Sequence, residues 1–168
     1  MRVTHLLYAL LAISILVWLV HSLGGGDEAK IEAQLERLGE LVSKEEGEGG
    51  LQAAERAREV GDLLARSFEI RLDPVGQTVT DRKDLVRPFV GLRQRVQSLD
   101  VAFSNSDLEV DGDAGRARMA VQATVSGSRG GGGPTRERFQ LEIDWLREGG
   151  DWRMETVRVT EREGGGLL

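Results

Sequence analysis

The residue types that most often carry chemistry are confined to one end of this sequence. The chain has 168 residues, no cysteine and two histidines. Both histidines, His5 and His21, and the single tyrosine, Tyr8, precede Gly24. Beyond that point proton transfer near neutral pH falls to carboxylates and lysines. Disulfides, thiolate metal sites, a cysteine nucleophile and a lipidated cysteine are excluded outright. Three stretches invite a sharper reading. Asp107-x-Glu109-x-Asp111-Gly112 opens like a calcium loop, but its twelfth position, where a bidentate glutamate belongs, is Arg118. Leu108 and Val110 alternate there as strand residues do, so this is read as an acidic strand and turn, and no metal is expected. The glycines from Gly130 to Gly133 lack the Gly-Lys-Ser/Thr ending of a phosphate loop and read as a hairpin tip. Arg82, Lys83, Arg87, Arg93 and Arg95 form a basic segment. It is either a solvated face balanced by Asp81 and Asp84 or a contact for anionic lipid heads or an acidic partner.

Composition narrows the classes of partner. Asp and Glu number 28 against 22 Lys and Arg, a net charge of -6. A phosphate backbone repels such a surface, so nucleic acid is not an expected partner. The length suits one domain, and nothing in the residues specifies a cofactor.

Leu6 to Val20 is an apolar run broken only by Ser14. Extended to residues 3–23, it has about the ~20 residues that cross a bilayer as a helix. Arg2 precedes it, and Asp27, Glu28 and Glu32 follow. The positive-inside rule then leaves the N-terminus in the cytoplasm and the rest outside, on the periplasmic side in a bacterium. Residues 1–23 are read as a transmembrane signal-anchor, with a cleaved signal peptide as the rival. Either reading exports the remainder.

Gly24 to Gly26 reads as a linker, and residues 27–161 as one domain with a flexible tail over 162–168. Asp27 can cap a helix whose apolar stripe is Ile31, Leu35, Leu38 and Val42. A second helix carries Leu51, Ala54, Ala57, Val60, Leu64 and Phe68, and a short strand at Ile70 and Leu72 precedes a turn at Pro74 and Gly76. Thr80 or Asp81 opens a third helix, interrupted by Pro88. From Leu99 the period becomes two. Parity slips at Ser104-Asn105-Ser106 and again at Glu155-Thr156, so a bulge is expected at each place. A turn at Asp111 to Gly115 and the glycine-rich loop pair the strands so that Met119 meets Ile143, Val121 meets Leu141 and Arg118 lies opposite Asp144.

Helices followed by an antiparallel meander with bulges make an α+β fold, a curved sheet covered on one face by about three helices. Several stretches carry a family resemblance: Phe68-Glu69-Ile70 leading out of a helix, the pair LEVDGDAGRARMAV around its turn, and Asp151-Trp152-Arg153-Met154 opening the last strand. In these features and their order the chain resembles the nuclear transport factor 2-like superfamily, SnoaL-like and polyketide-cyclase-like domains included. The resemblance implies a cone whose helices close over a half-barrel. Its members include isomerases, dehydratases, epoxide hydrolases, cyclases, ligand carriers and domains that only associate with other proteins, so fold alone leaves function open.

Enzymes of this kind place acid–base groups inside the cone. An aspartate–arginine arrangement like that of the epoxide hydrolases would have to come from Asp107, Asp73 or Asp100 with Arg87. Phe103, Met119, Val121, Phe139, Leu141, Ile143, Trp145, Trp152 and Met154 make the inner face apolar instead. Filled by helix side chains, that face is core. Left open, Phe103, Met119, Val121, Phe139, Leu141, Trp145, Trp152 and Met154 line a pocket for a small apolar ligand. The opposite face, with Gln122, Thr124, Gln140, Glu142 and Asp144, suits association with a second copy or an envelope protein. The leading expectation is a membrane-anchored, non-enzymatic accessory domain for protein association. A carrier or sensor of a small apolar ligand is the alternative, and a hydrolase or isomerase using carboxylates comes third.

Overall fold

The computed structural model describes residues 26–129 and 133–164. The expected membrane segment at residues 1–23 lies outside them. Among the described residues no helix is long and apolar enough to cross a membrane. Three α-helices and six strands follow in order: α1 (Asp27–Val42), α2 (Gly50–Asp62), β1 (Leu64–Leu72), β2 (Gln77–Val79), α3 (Lys83–Arg95), β3 (Ser98–Asp111), β4 (Arg116–Ser128), β5 (Thr135–Glu148) and β6 (Asp151–Glu163). A short 3₁₀ turn at Asp73–Val75 joins β1 to β2. The strands form a single sheet in the order β2-β1-β6-β5-β4-β3. It is curved, and the helices close over its inner face in a cone-like α+β fold.

The registers follow from the alternation. Met119 pairs with Ile143, Val121 with Leu141 and Arg118 with Asp144, as the parity of both strands requires. One side of β4 then buries Ala117, Met119, Val121 and Ala123, while Arg116, Arg118 and Ala120 between them are exposed. A bulge between Ser104 and Asp107 interrupts β3, with Asn105 at φ 53°. A second lets β6 carry Glu155 as an extra residue between Met154 and Thr156, and a third does the same at Thr160. The bulges at Asn105 and Glu155 restore the apolar side chains to the inner face, the one at Thr160 turns Arg162 toward it, and each bends the strand, which is how a long sheet curls around helices. Gly115, at φ 63°, supplies the left-handed residue that closes the β3–β4 turn.

α1 lies across β3 and β6, and α2 packs on α3. The α1 stripe lands as its spacing predicts, with Ile31 and Leu35 buried and Leu38 packed beside them. α1 comes so close to β3 at Gly39 that a Cβ there would stand 3.2 Å from the Val101 carbonyl oxygen and 3.4 Å from the Phe103 ring.

Other expectations require correction. α2 stops at Asp62, so Leu64 and Phe68 belong to β1; the helix buries Ala53 and Ala57, and Leu51 is 75 % exposed. The spacing misled because a strand that starts with two consecutive buried residues, Leu64 and Ala65, mimics the last turn of a helix. β1 is long because it pairs in parallel with β6, with the Met154 amide donating to the Leu63 carbonyl at 2.9 Å. Parallel partners leave no local turn signal. Gly26, not Asp27, occupies the N-cap of α1. β6 runs two residues into the segment expected to be tail, because Arg162 is anchored to Glu137.

Candidate functional site

The inner face is the natural place to look for a site. Of the residues that would line a pocket, Met119 and Trp145 are 0 % exposed and Trp152 and Met154 1 %. Together with Val121 they form one cluster with Ile31 and Leu35 of α1 and Leu64 and Phe68 of β1. Phe103 and Leu141 pack against its margin, half-buried, and Phe139 is half-buried too. The structure thus brings most of the sequence-identified pocket residues together and fills the space between them with helix side chains. Trp152 is also held from outside the cluster. Its indole Nε1 donates to Asp27 Oδ1 at 3.0 Å, and Arg147 donates to Asp27 Oδ2 at 3.2 Å while lying over the Trp152 ring. The Trp152 hydrogen bond is the main cause of a lowered Asp27 pKa, with Arg147 and Lys30 adding to it against burial. Among the described residues two buried side-chain atoms lack partners: the Trp145 Nε1 donor and the Gln34 Oε1 acceptor.

A carboxylate does stand on the inner face, where the pattern reading missed it. Glu137 is fully buried and accepts from Arg162 Nε at 3.1 Å and Nη2 at 3.2 Å. Its position has the same parity as Phe139, Leu141, Ile143 and Trp145, so a charge at that place in the alternation was the available signal. The bidentate pair ties β5 to the end of β6.

A larger buried network lies between the helices. Arg93 of α3 is 2 % exposed. Its guanidinium donates to both oxygens of Glu48, at 2.6 Å from Nε, and to the carbonyls of Leu41, Val42 and Ser43 at the C-terminus of α1. Lys44 Nζ returns to the carbonyls of Arg93 and Val96 at 2.7 and 2.6 Å. Arg56 lies 3.5 Å from Glu48. The hydrogen bonds from Arg93 hold the Glu48 carboxyl below the ordinary glutamate range, the nearby cations Arg93, Arg56 and Lys44 assist, and burial opposes. Arg93 therefore is not part of a solvated basic face. Arg82 is structural as well, donating to the carbonyls of Gly61, Leu64 and Ala65.

The outer face of the sheet carries Gln122, Thr124, Gln140, Glu142 and Asp144 in one contiguous patch, Gln122 directly opposite Gln140. Glu142 accepts from Arg158 at 3.1 Å, Asp144 from Arg118 at 3.2 Å, and Gln122 from Asn105 at 3.4 Å. Opposite charges alternate across neighbouring strands here, and no large apolar side chain interrupts them.

Two open grooves flank the helices. One of about 1200 Å³ runs between α1 and the edge strand β3, past Glu36, Glu45, Asp100 and the serines Ser98, Ser126 and Ser128. The other, about 940 Å³, follows α3. The aspartates and arginine that an epoxide-hydrolase-like arrangement needs are not assembled. Asp73 stands 4.0 Å from Arg158, Asp107 lies on the outer side of β3 opposite Ala120, and Arg87 borders the α3 groove. Among the described residues no group of acidic or histidine side chains could hold a metal ion.

Comparison with known proteins agrees with this architecture. A model of the SnoaL-like domain matches residues 49–158. Among solved structures, a candidate scytalone dehydratase from Novosphingobium aromaticivorans is similar at 11 % identity and a TM-score of 0.67, covering 83 % of this chain and 88 % of that one. An NTF2-like protein from Cytophaga hutchinsonii shares 14 % identity at a TM-score of 0.61, over 81 % and 98 % of the two chains. ActVI-ORFA from Streptomyces coelicolor shares 15 % at 0.60, over 81 % and 97 %. Identities this low speak to the fold alone. No curated protein matches the sequence.

Proposed function

The chain belongs to the SnoaL-like domain family, and from that premise we propose that it is a membrane-tethered, non-enzymatic domain that associates with a second copy of itself outside the cytoplasm. The observation that carries this reading is the packed inner face. Catalytic members of such a fold need a solvent-filled cone with proton-transfer groups in it. Here the corresponding side chains, Met119, Trp145, Trp152 and Met154, are buried against Ile31 and Leu35. What the domain presents to other molecules is then its exterior. The outer sheet face is wide and polar, and its charges alternate in sign, which suits a reversible, self-complementary contact. Residues 3–23, with their apolar run, supply the tether in this reading.

The test is native mass spectrometry of the full chain in detergent, with Thr124→Arg and Gln140→Arg together as the comparison. A dimer that the double variant dissociates supports association through this face. A monomer with a reproducible extra mass of a few hundred daltons sinks it in favour of a carrier of a small apolar ligand. One observation favours that second reading: among the described residues Trp145 Nε1 and Gln34 Oε1 are a buried donor and a buried acceptor without partners, which a small bound molecule could satisfy.

A further inference from the structure

Three cations of α3 stand apart from the ion pairs and hydrogen bonds that engage Arg82 and Arg93. Lys83, Arg87 and Arg95 make no side-chain ion pair or hydrogen bond among the described residues, and all are exposed. Most arginines elsewhere are matched, as Arg37 is with Glu40 and Glu59, Arg116 with Glu155 and Arg158 with Glu142. The three cations border one open groove whose lining includes Val86, Pro88 and Val90 and no carboxylate. That is unusual for a chain of net charge -6. The exposed side of α1, by contrast, carries Glu28, Glu32, Glu36 and Glu40.

We propose that the α3 groove docks the domain on anionic lipid headgroups, with Lys83, Arg87 and Arg95 contacting phosphate and Val86, Pro88 and Val90 entering the interface. An apolar floor ringed by cations is what a lipid surface recognises, since headgroup charge and acyl boundary are met at once. Three such charges near an anionic leaflet raise partitioning about a hundredfold. The proposal rests on the membrane tether put forward above, which would hold the start of α1 within about 10 Å of the bilayer through Gly24 to Gly26 and so make the lipid surface the nearest anionic partner. Attraction at α3 and repulsion at the acidic side of α1 then decide which flank of the domain turns toward the membrane.

The absence of cysteine permits a single environment-sensitive fluorophore on Gln94→Cys, which lines the same groove. The labelled full chain is reconstituted in vesicles of phosphatidylcholine alone and of phosphatidylcholine with phosphatidylglycerol. Emission is expected to shift to the blue only with phosphatidylglycerol. It should return in ~1 M salt, where screening is nearly complete, and in the variant Lys83→Glu/Arg87→Glu/Arg95→Glu. The milder Arg87→Gln/Arg95→Gln should need about thirtyfold more anionic lipid for the same shift, which keeps the test valid if the triple reversal fails to fold. Equal emission in both vesicles, as an acidic protein occupant would give, overturns the proposal. So does a shift that both variants retain. Flotation on neutral vesicles reports on the tether separately. A chain that does not float there yet shifts on anionic vesicles loses the tether and keeps the docking face.

Discussion

Replacing Arg93 by methionine tests whether the buried network between α1 and α3 holds the helical layer together. The substitution keeps an unbranched side chain and removes five hydrogen bonds. Neither partner has water to fall back on, since the side chains of Arg93 and Glu48 are 2 % and 6 % exposed. Breaking a buried pair from one side costs about 3–5 kcal/mol, since the Glu48 carboxylate loses its main partner and keeps only Arg56 at 3.5 Å and the nearby Lys44. The carbonyls of Leu41, Val42 and Ser43, at the negative end of the α1 dipole, lose their donor as well. Against a total stability of about 5–15 kcal/mol this is a large fraction, and it corresponds to a fall in Tm of roughly 6–20 °C. Thermal unfolding followed by near-ultraviolet circular dichroism measures it. Combining Arg93→Met with Glu48→Leu removes the orphaned charge and should recover about 2 kcal/mol or more, read as a coupling energy in the double-mutant cycle. The pH dependence has a definite sign. The folded pKa of Glu48 is depressed from its ordinary value of 4.5, so its contribution is complete above that value and is lost as the pH falls through the folded one. The gap between wild type and Arg93→Met is therefore widest at neutral pH and narrows in acid. A loss under ~1 kcal/mol, the scale of an exposed pair, or a gap indifferent to pH, would refute the reasoning.

Gly39→Val places side-chain atoms where a Cβ alone would already be 3.2 Å from the Val101 carbonyl oxygen. It should cost about 1–3 kcal/mol by overpacking, visible as a lower urea midpoint; an unchanged midpoint would mean that α1 shifts freely on β3. Trp145→Phe and Trp152→Phe make the same chemical change at two fully buried sites, yet only Trp152 has a hydrogen bond to lose. The Trp152 variant should have the lower midpoint, and the reverse order would show that the Trp145 indole finds a partner in solution. In Trp152→Phe the Asp27 carboxyl loses the main cause of its lowered pKa, so its carbon-detected NMR titration should move up toward the ordinary aspartate value. No movement would assign the shift to Arg147 and Lys30 instead.

Much of the fold is legible in the residues because its cues are local. The α1 stripe, the β4–β5 register and the bulges at Asn105 and Glu155 all follow from side-chain periods that backbone geometry imposes on a few consecutive positions. So does the exclusion of thiol and imidazole chemistry from the domain, which is a matter of composition. The end of α2 was misplaced because Leu64 and Phe68 satisfy a helical spacing as well as a strand that buries two consecutive residues, and only the parallel pairing with β6 decides between them. The fates of charged side chains lay further out of reach. Arg82, Arg87, Arg93 and Arg95 look alike as a basic segment. Tertiary structure divides them, sending Arg93 to Glu48, a residue 45 positions away, and Arg82 to the carbonyls of Leu64 and Ala65 in β1, while the side chains of Arg87 and Arg95 pair with nothing among the described residues. Whether the inner face is a core or a pocket was equally undecidable in one dimension. Apolar residues pack against a helix as readily as they line a cavity, and the difference lies in how closely α1 approaches the sheet. That distance is set by Gly39 against β3 and by Asp27 held between Trp152 and Arg147. Period and composition are properties of neighbours along the chain; occupancy and charge pairing are properties of neighbours in space, and folding alone creates those.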